Sequence, residues 1–148
     1  MKCINKILYS TDFSDNSIPA AECALTLAKL TGAPIHAVHV VSELADYRKN
    51  MIQPESFAIF EREVETLAVK EMEKFCRERF GDQVPYETEV VIGAPYKVLL
   101  ERAAATGCDL IVMGTHGHTG IKEVLLGSTT QRLLRRAKIP VLTVPCNC

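Results

Sequence analysis

Five short strand-like runs, separated by stretches of helical period, leave this chain few folds to choose from. Lys6–Ser10 is almost continuously apolar, the pattern of a strand buried on both faces in a parallel sheet. Ile35–Val41, Val84–Ile92, Cys108–Met113 and Pro140–Val144 read as the other strands. Val84–Ile92 alternates at first, as an edge strand would.

The segments between them carry helix signals. Ser10–Ser17 is a polar cluster dense in N-cap residues, and Ala20, Ala21, Ala24, Leu25, Leu27, Ala28 and Leu30 follow at helical spacing. Gly32, Gly81 and Gly107 stand where helices should end. A long helix is expected from Pro54 to about Phe80. Its buried stripe would be Phe57, Phe60, Val64, Leu67, Ala68, Met72 and Phe75, with charged residues opposite. Pro95 opens a third helix with Val98, Leu99, Ala103 and Ala104 inward. Ser128 and Gln131 fit a capping box for a last helix through Leu133 and Leu134 to about Ala137. Ser42–Gln53 has no clean period and reads as a loop, the most mobile part of the chain.

The order is therefore β-α-β-α-β-α-β-α-β, with no linker and no internal repeat. It predicts a single α/β domain over residues 1–148: a doubly wound, five-stranded parallel sheet with helices on both faces. With strand order 3-2-1-4-5, the crevice for a ligand lies between strands 1 and 4. Asp12 leaves strand 1 and Gly114 leaves strand 4, so the two loops would face each other across it.

Composition narrows the partners. The formal charge of −1 gives no general reason to expect nucleic acid or anionic membrane. No apolar run approaches the roughly 18 residues of a membrane helix, and the N-terminus lacks the apolar region of a signal peptide, so the cytoplasm is expected. The six cysteines show no metal-binding spacing. Most should be buried thiols, and Cys146 and Cys148 should form a frayed, reduced tail.

The richest stretch is Met113–Gln131, which holds four of the eight glycines between a strand and a basic helix. Glycines let backbone approach a ligand, and a helix N-terminus offers unpaired N–H groups and partial positive charge. An anion site, most simply for phosphate, follows. Other nucleotide signatures are absent: there is no P-loop, no glycine fingerprint after strand 1, no acceptor Asp after strand 3 and no Ser-Gly-Gly-x-Asp-Ser loop. The last absence argues against an enzyme that adenylates its substrate. His116 and His118 flank Gly117 without a nearby carboxylate or thiolate, so no metal site is expected. His36 and His39 read as packing residues of a strand. Lys122 fits either a phosphate-neutralising or an exposed role. Arg132, Arg135, Arg136 and Lys138 suit a helix C-terminus, and without interleaved aromatics they do not indicate nucleic acid.

What is present is Gly114-x2-Gly117-x9-Gly127-Ser128. With Lys6–Asp12, His39-Val40, Gly93-x-Pro95, Asp109–Gly114 and Pro140–Val144, it resembles the ATP-binding branch of the universal stress protein family over the whole chain. The resemblance implies an adenine nucleotide α-hydrolase-like fold. It also implies a site in which Ser10, Thr11 and Asp12 line the adenosine side and Val40 lies against adenine. Met113 and Gly114 would pass under the ribose, while Thr115, Gly117, Gly127, Ser128 and Thr129 would hold the phosphates. Ser10 and Thr129 depart from residues common in the family, and Thr129 would add a donor. The implied cofactor is ATP, or ADP or AMP, with Mg²⁺ as a candidate companion. The implied assembly is a homodimer through Val141–Val144.

Three functions stay open. The first is an ATP-binding stress-response regulator whose nucleotide occupancy orders the 114–127 loop and the dimer surface seen by protein partners of unknown identity. The second is a slow Mg²⁺-dependent ATPase. The third is an interaction module that needs no nucleotide. No general base or arginine finger is set by motif, so no catalytic residue is named and binding is favoured over a dedicated enzyme.

Overall fold

The computed structural model describes residues 3–42, 54–115 and 126–146. Strand β1 (Ile7–Ser10) leads through a short 3-10 turn (Asp15–Ser17) into helix α1 (Ile18–Thr31). Then come β2 (Ile35–Val41), α2 (Pro54–Arg79), β3 (Tyr86–Ile92), α3 (Pro95–Thr106), β4 (Leu110–Gly114), α4 (Ser128–Arg136) and β5 (Val141–Val144). The sheet is parallel throughout, in the order β3-β2-β1-β4-β5, as the alternation of elements requires.

The apolar run of β1 is explained by its place. It pairs with β2 on one side and β4 on the other, and Ile7, Leu8 and Tyr9 are fully buried. Alternate residues feed two cores. On one face Ile7, Tyr9, Ile35 and Ala37 pack with Ala20, Ala21, Ala24 and Ala28 of α1 and with Met72, Phe75 and Phe80. On the other face Leu8, Val38, Ile111 and Met113 pack with Leu99 and Ala103 of α3 and Leu133 of α4. The alanines of α1 let that helix lie close to the sheet. Each large side chain buried in these layers contributes roughly 1.5–3 kcal/mol of transfer free energy. Gly32 and Gly107 end α1 and α3 in the left-handed region, at φ 75° and 72°.

Several local expectations are corrected. In α2 Phe57, Ala68, Met72 and Phe75 are buried, but Leu67 is 66 % and Phe60 43 % exposed. At 3.6 residues per turn Phe60 and Leu67 stand roughly 80° and 100° to one side of the centre of the buried stripe. Leu30 and Leu134 are also exposed, as is Ala104. The N-cap residues ahead of α1 form the 3-10 turn, and Ser17 makes no side-chain cap. Strand β3 begins at Tyr86, two residues later than its apolar pattern suggests. Cys76 and Cys108 are buried free thiols, and burial pushes the Cys76 thiol up to about 12. Cys23 is half-buried and Cys3 exposed. Cys146, expected to be reduced, is disulfide-bonded. Unlike Cys76 and Cys108, it is not walled off from a partner by a core. The Ser42–Gln53 loop expectation falls, from residue 43 on, outside the described residues, as does Cys148.

Candidate functional site

The chain leaves β1 toward α1 on one face of the sheet and leaves β4 toward α4 on the other. These central neighbours therefore part at their C-terminal ends, which creates a crevice. Residues from both exits and from the end of β2 border it.

On the β1 side the parallel ladder runs one residue beyond the strand, with Thr11 N–H donating to Val38 O at 3.1 Å. Thr11 is buried, and its hydroxyl pairs with the Ser17 hydroxyl at 2.9 Å and accepts Phe13 N–H at 3.0 Å. Tyr9 OH donates to Ser17 O at 2.8 Å, and burial pushes that phenol up to about 12. Asp12 Oδ1 accepts both the N–H of Ser14, at 3.0 Å, and its hydroxyl. Ser10 and Asp12 are half-buried. Residues 11–17 thus form a turn closed by its own side chains.

Val40 lies two residues past the partner of Ser10 in the β1–β2 register. It packs half-buried against the cluster that contains Leu8, Val38 and Met113. The fold therefore brings Val40 and Met113 onto one face, although 73 residues of sequence separate them (113 − 40).

On the β4 side Thr115 N–H donates to Val144 O at 3.2 Å, and Gly127 N–H donates to Thr115 O at 2.9 Å. Thr130 Oγ1 reaches Gly114 O at 3.4 Å. Both ends of the glycine stretch are thereby held beside β4. Gly117, His116, His118 and Lys122 lie outside the described residues. Gly127 is the N-cap of α4, with φ −60° and ψ 156°. Among the described residues, a Cβ added there would meet only Thr115 O, at 3.5 Å, an ordinary contact. Neither backbone conformation nor packing within the described protein requires glycine here.

The expected Ser128–Gln131 capping box is not formed. The helix starts one residue earlier than that box implies, so Ser128 is its first helical residue, and the N-cap residue, Gly127, has no side chain to cap it. Intrahelical bonding begins with Gln131 N–H to Gly127 O at 3.0 Å. Ser128 is exposed and Thr129 half-exposed, in the turn whose N–H groups have no helical acceptor. Such a terminus favours an anion by about 0.3–1 kcal/mol, and by up to ~2 kcal/mol when partly buried.

Sequence reasoning missed three contributors. Thr130 ties α4 to Gly114. Phe13 and His39, described below, shape the turn after β1. His39 and His36 do more than pack. His36 is buried and hydrogen-bonds Glu89 Oε1 through Nε2 at 3.0 Å, and Arg102 Nε donates to the same oxygen at 2.8 Å. Burial alone would raise the Glu89 carboxyl. The hydrogen bonds from His36 and Arg102, with the charges of both, outweigh it and hold Glu89 below its ordinary value. The arginines of α4 also have an aromatic after all. Tyr96 of α3 lies under Arg136 at 4.9 Å and Arg132 at 5.5 Å, with Lys97 at 6.0 Å. Helix packing supplies the ring, which sequence neighbours do not.

Known proteins share this fold. The family model described as Universal stress protein family matches residues 4–145. Universal stress protein MJ0531 of Methanocaldococcus jannaschii is 36 % identical, covering 94 % of this chain and 81 % of its own. The solved structure of MJ0577 from the same organism is 29 % identical, with TM-score 0.77 over 98 % of each chain. A universal stress protein in complex with cAMP is 25 % identical, with TM-score 0.68 over 97 % of this chain and 98 % of that one. A family model matched over residues 4–145, a relative 36 % identical over 94 % of the chain and a shared fold over 98 % of it leave one assignment: this chain belongs to the universal stress protein family.

Proposed function

We propose that this chain is an adenine-nucleotide-binding regulatory protein and that the crevice between β1 and β4 is its nucleotide site. The observation that carries the reading is Gly127. It lacks a side chain where its backbone conformation and its packing among the described residues would accept one, and as the N-cap residue of α4 it brings no capping side chain of its own. An anion seated there would take the N–H groups of the first turn of α4, and a side chain at 127 would stand in its way. Ser128 and Thr129 add hydroxyl donors. Thr115 and, by the glycine spacing, Gly117 belong to the same phosphate half.

The adenosine half would be Ser10, Thr11, Asp12, Val40, Met113 and Gly114. Val40 and Met113 offer an apolar surface suited to a base, and Asp12 is a carboxylate suited to ribose or adenine donors. The cAMP complex of a relative supports an adenine ligand for this fold. ATP is the proposed ligand because the phosphate half extends from Thr115 to Thr129. Mg²⁺, where it accompanies ATP, would neutralise phosphate charge.

In this reading occupancy orders the glycine stretch, and with it a surface presented to a partner. β5 is an edge strand of the sheet, paired only with β4, and its sequence Val141-Leu-Thr-Val144 is apolar. Such an edge pairs readily with a second copy, so the proposed state is a homodimer. Light scattering at micromolar concentration should give the dimer mass; a monomer would refute that part.

The reading is tested by mass analysis of nucleotide released from the denatured purified protein, followed by calorimetry with ATP, ADP and AMP. A carried adenine nucleotide or saturable binding supports it. Folded protein that carries none and binds none contradicts it.

A further inference from the structure

Phe13 has φ 66°, and among the described residues it is the one non-glycine residue with positive φ. A bulky side chain rarely adopts this conformation, and it persists only where the surroundings enforce it. Here they do. The Phe13 ring lies on the His39 ring, with centroids 4.1 Å apart and planes inclined at 30°. A further edge is set by Phe75, at 6.0 Å. The Phe13 N–H is held by Thr11 Oγ1 at 3.0 Å.

His39 is itself fixed. Its Nδ1 lies 2.8 Å from Thr11 O. A carbonyl only accepts, so Nδ1 carries the proton and donates. The contacts close a ring: His39 bonds Thr11, Thr11 bonds Phe13, and Phe13 stacks back on His39. Asp12 sits inside this ring, between Thr11 and Phe13, with Oδ1 taken by Ser14. The left-handed residue directly after Asp12 sets the direction in which the chain turns away from β1.

We infer that His39 and Phe13 are positioning residues for the adenosine half of the site: the imidazole, clamped to Thr11 and stacked on Phe13, holds the strained turn that presents Asp12 to the nucleotide. This rests on the nucleotide-binding reading above. It gives the strain a purpose, since a relaxed turn would leave Asp12 to sample several directions and to be ordered by the ligand at a cost in affinity. His39 faces the α1–α2 side of the sheet while Val40, its neighbour, faces the other. One strand would therefore supply both a surface for the base and the clamp behind the carboxylate.

The test is ATP calorimetry on the full chain as wild type, His39→Leu, His39→Asn and Phe13→Ala, with thermal melts of each. His39→Leu keeps apolar bulk but loses the donor, and it should bind ATP roughly tenfold more weakly. His39→Asn places an amide donor near the Nδ1 position and should recover most of that loss, which a merely packing role would not produce. Phe13→Ala should weaken binding by about the same factor as His39→Leu, and it serves alone if His39→Leu does not fold. Leu and Ala variants that bind within twofold of wild type, or an Asn variant as weak as Leu, overturn the inference and leave nucleotide binding standing. Wild-type protein that binds no ATP overturns both.

Discussion

On the β1 side of the crevice, Thr11, Asp12, Ser14 and Ser17 bond one another and the backbone around them. On the β4 side, α4 starts at a glycine, which brings no capping side chain of its own. The first region satisfies polar groups from within, holds a strained residue and is built on β1, whose Ile7, Leu8 and Tyr9 are fully buried. The second begins a helix at a residue that offers its first turn no side-chain acceptor. The difference teaches how one pocket can be both selective and switchable. In the proposed reading a preformed half would fix the orientation of the base, while a half with open donors would gain its order from the anion.

The comparison can be strained first at Thr11. Thr11→Val removes a buried hydroxyl that pairs with Ser17 and accepts Phe13 N–H. Leaving those partners unmatched should cost about 2–3 kcal/mol in urea denaturation. Tyr9→Phe removes one donor beneath the same turn. It should cost about 1–1.5 kcal/mol by the same measurement. On the β4 side the effects on stability should be smaller. Thr130→Val loses only a 3.4 Å contact to Gly114 O, and a change of about 0.5 kcal/mol is expected. A β4-side loss larger than that of Thr11→Val would break the comparison.

Acid tests a third region, which anchors β2 to β3 and α3. The Glu89 carboxyl is depressed in the folded protein, so its contribution is present above its unfolded value. It is lost as pH falls through the lower folded value. Stability should therefore decline on the acid side of the ordinary carboxylate range. Glu89→Gln should flatten that decline in melts taken from pH 5 downward, by an amount of about 1 kcal/mol or less for a half-buried carboxylate still screened by solvent.

The topology was legible because period and polarity are local: continuous apolar runs belong to central strands, and left-handed glycines end helices. The candidate site was legible in part. The fold sets Gly127 beside the end of β4, bonded to Thr115 O, and puts Val40 on the face of the sheet that holds Met113. The start of α4 was misread because Ser128 and Gln131 match a capping box as well as they match open donors. Their spacing does not reveal which residue leaves the helical conformation first. Phe60 and Leu67 were misplaced because hydrophobicity marks a face only to within a fraction of a turn. The contacts of His39 with Thr11 O and of Arg136 with Tyr96 link distant segments. No spacing rule in a single chain encodes such pairs.

The central claim is that position 127 is glycine for a ligand and not for the fold. It is met most directly by measuring ATP affinity and thermal stability together in Gly127→Val. The account predicts ATP binding weakened about 100-fold, or ~2.7 kcal/mol, with a melting temperature close to wild type. Unchanged ATP affinity in a folded Gly127→Val protein would contradict it.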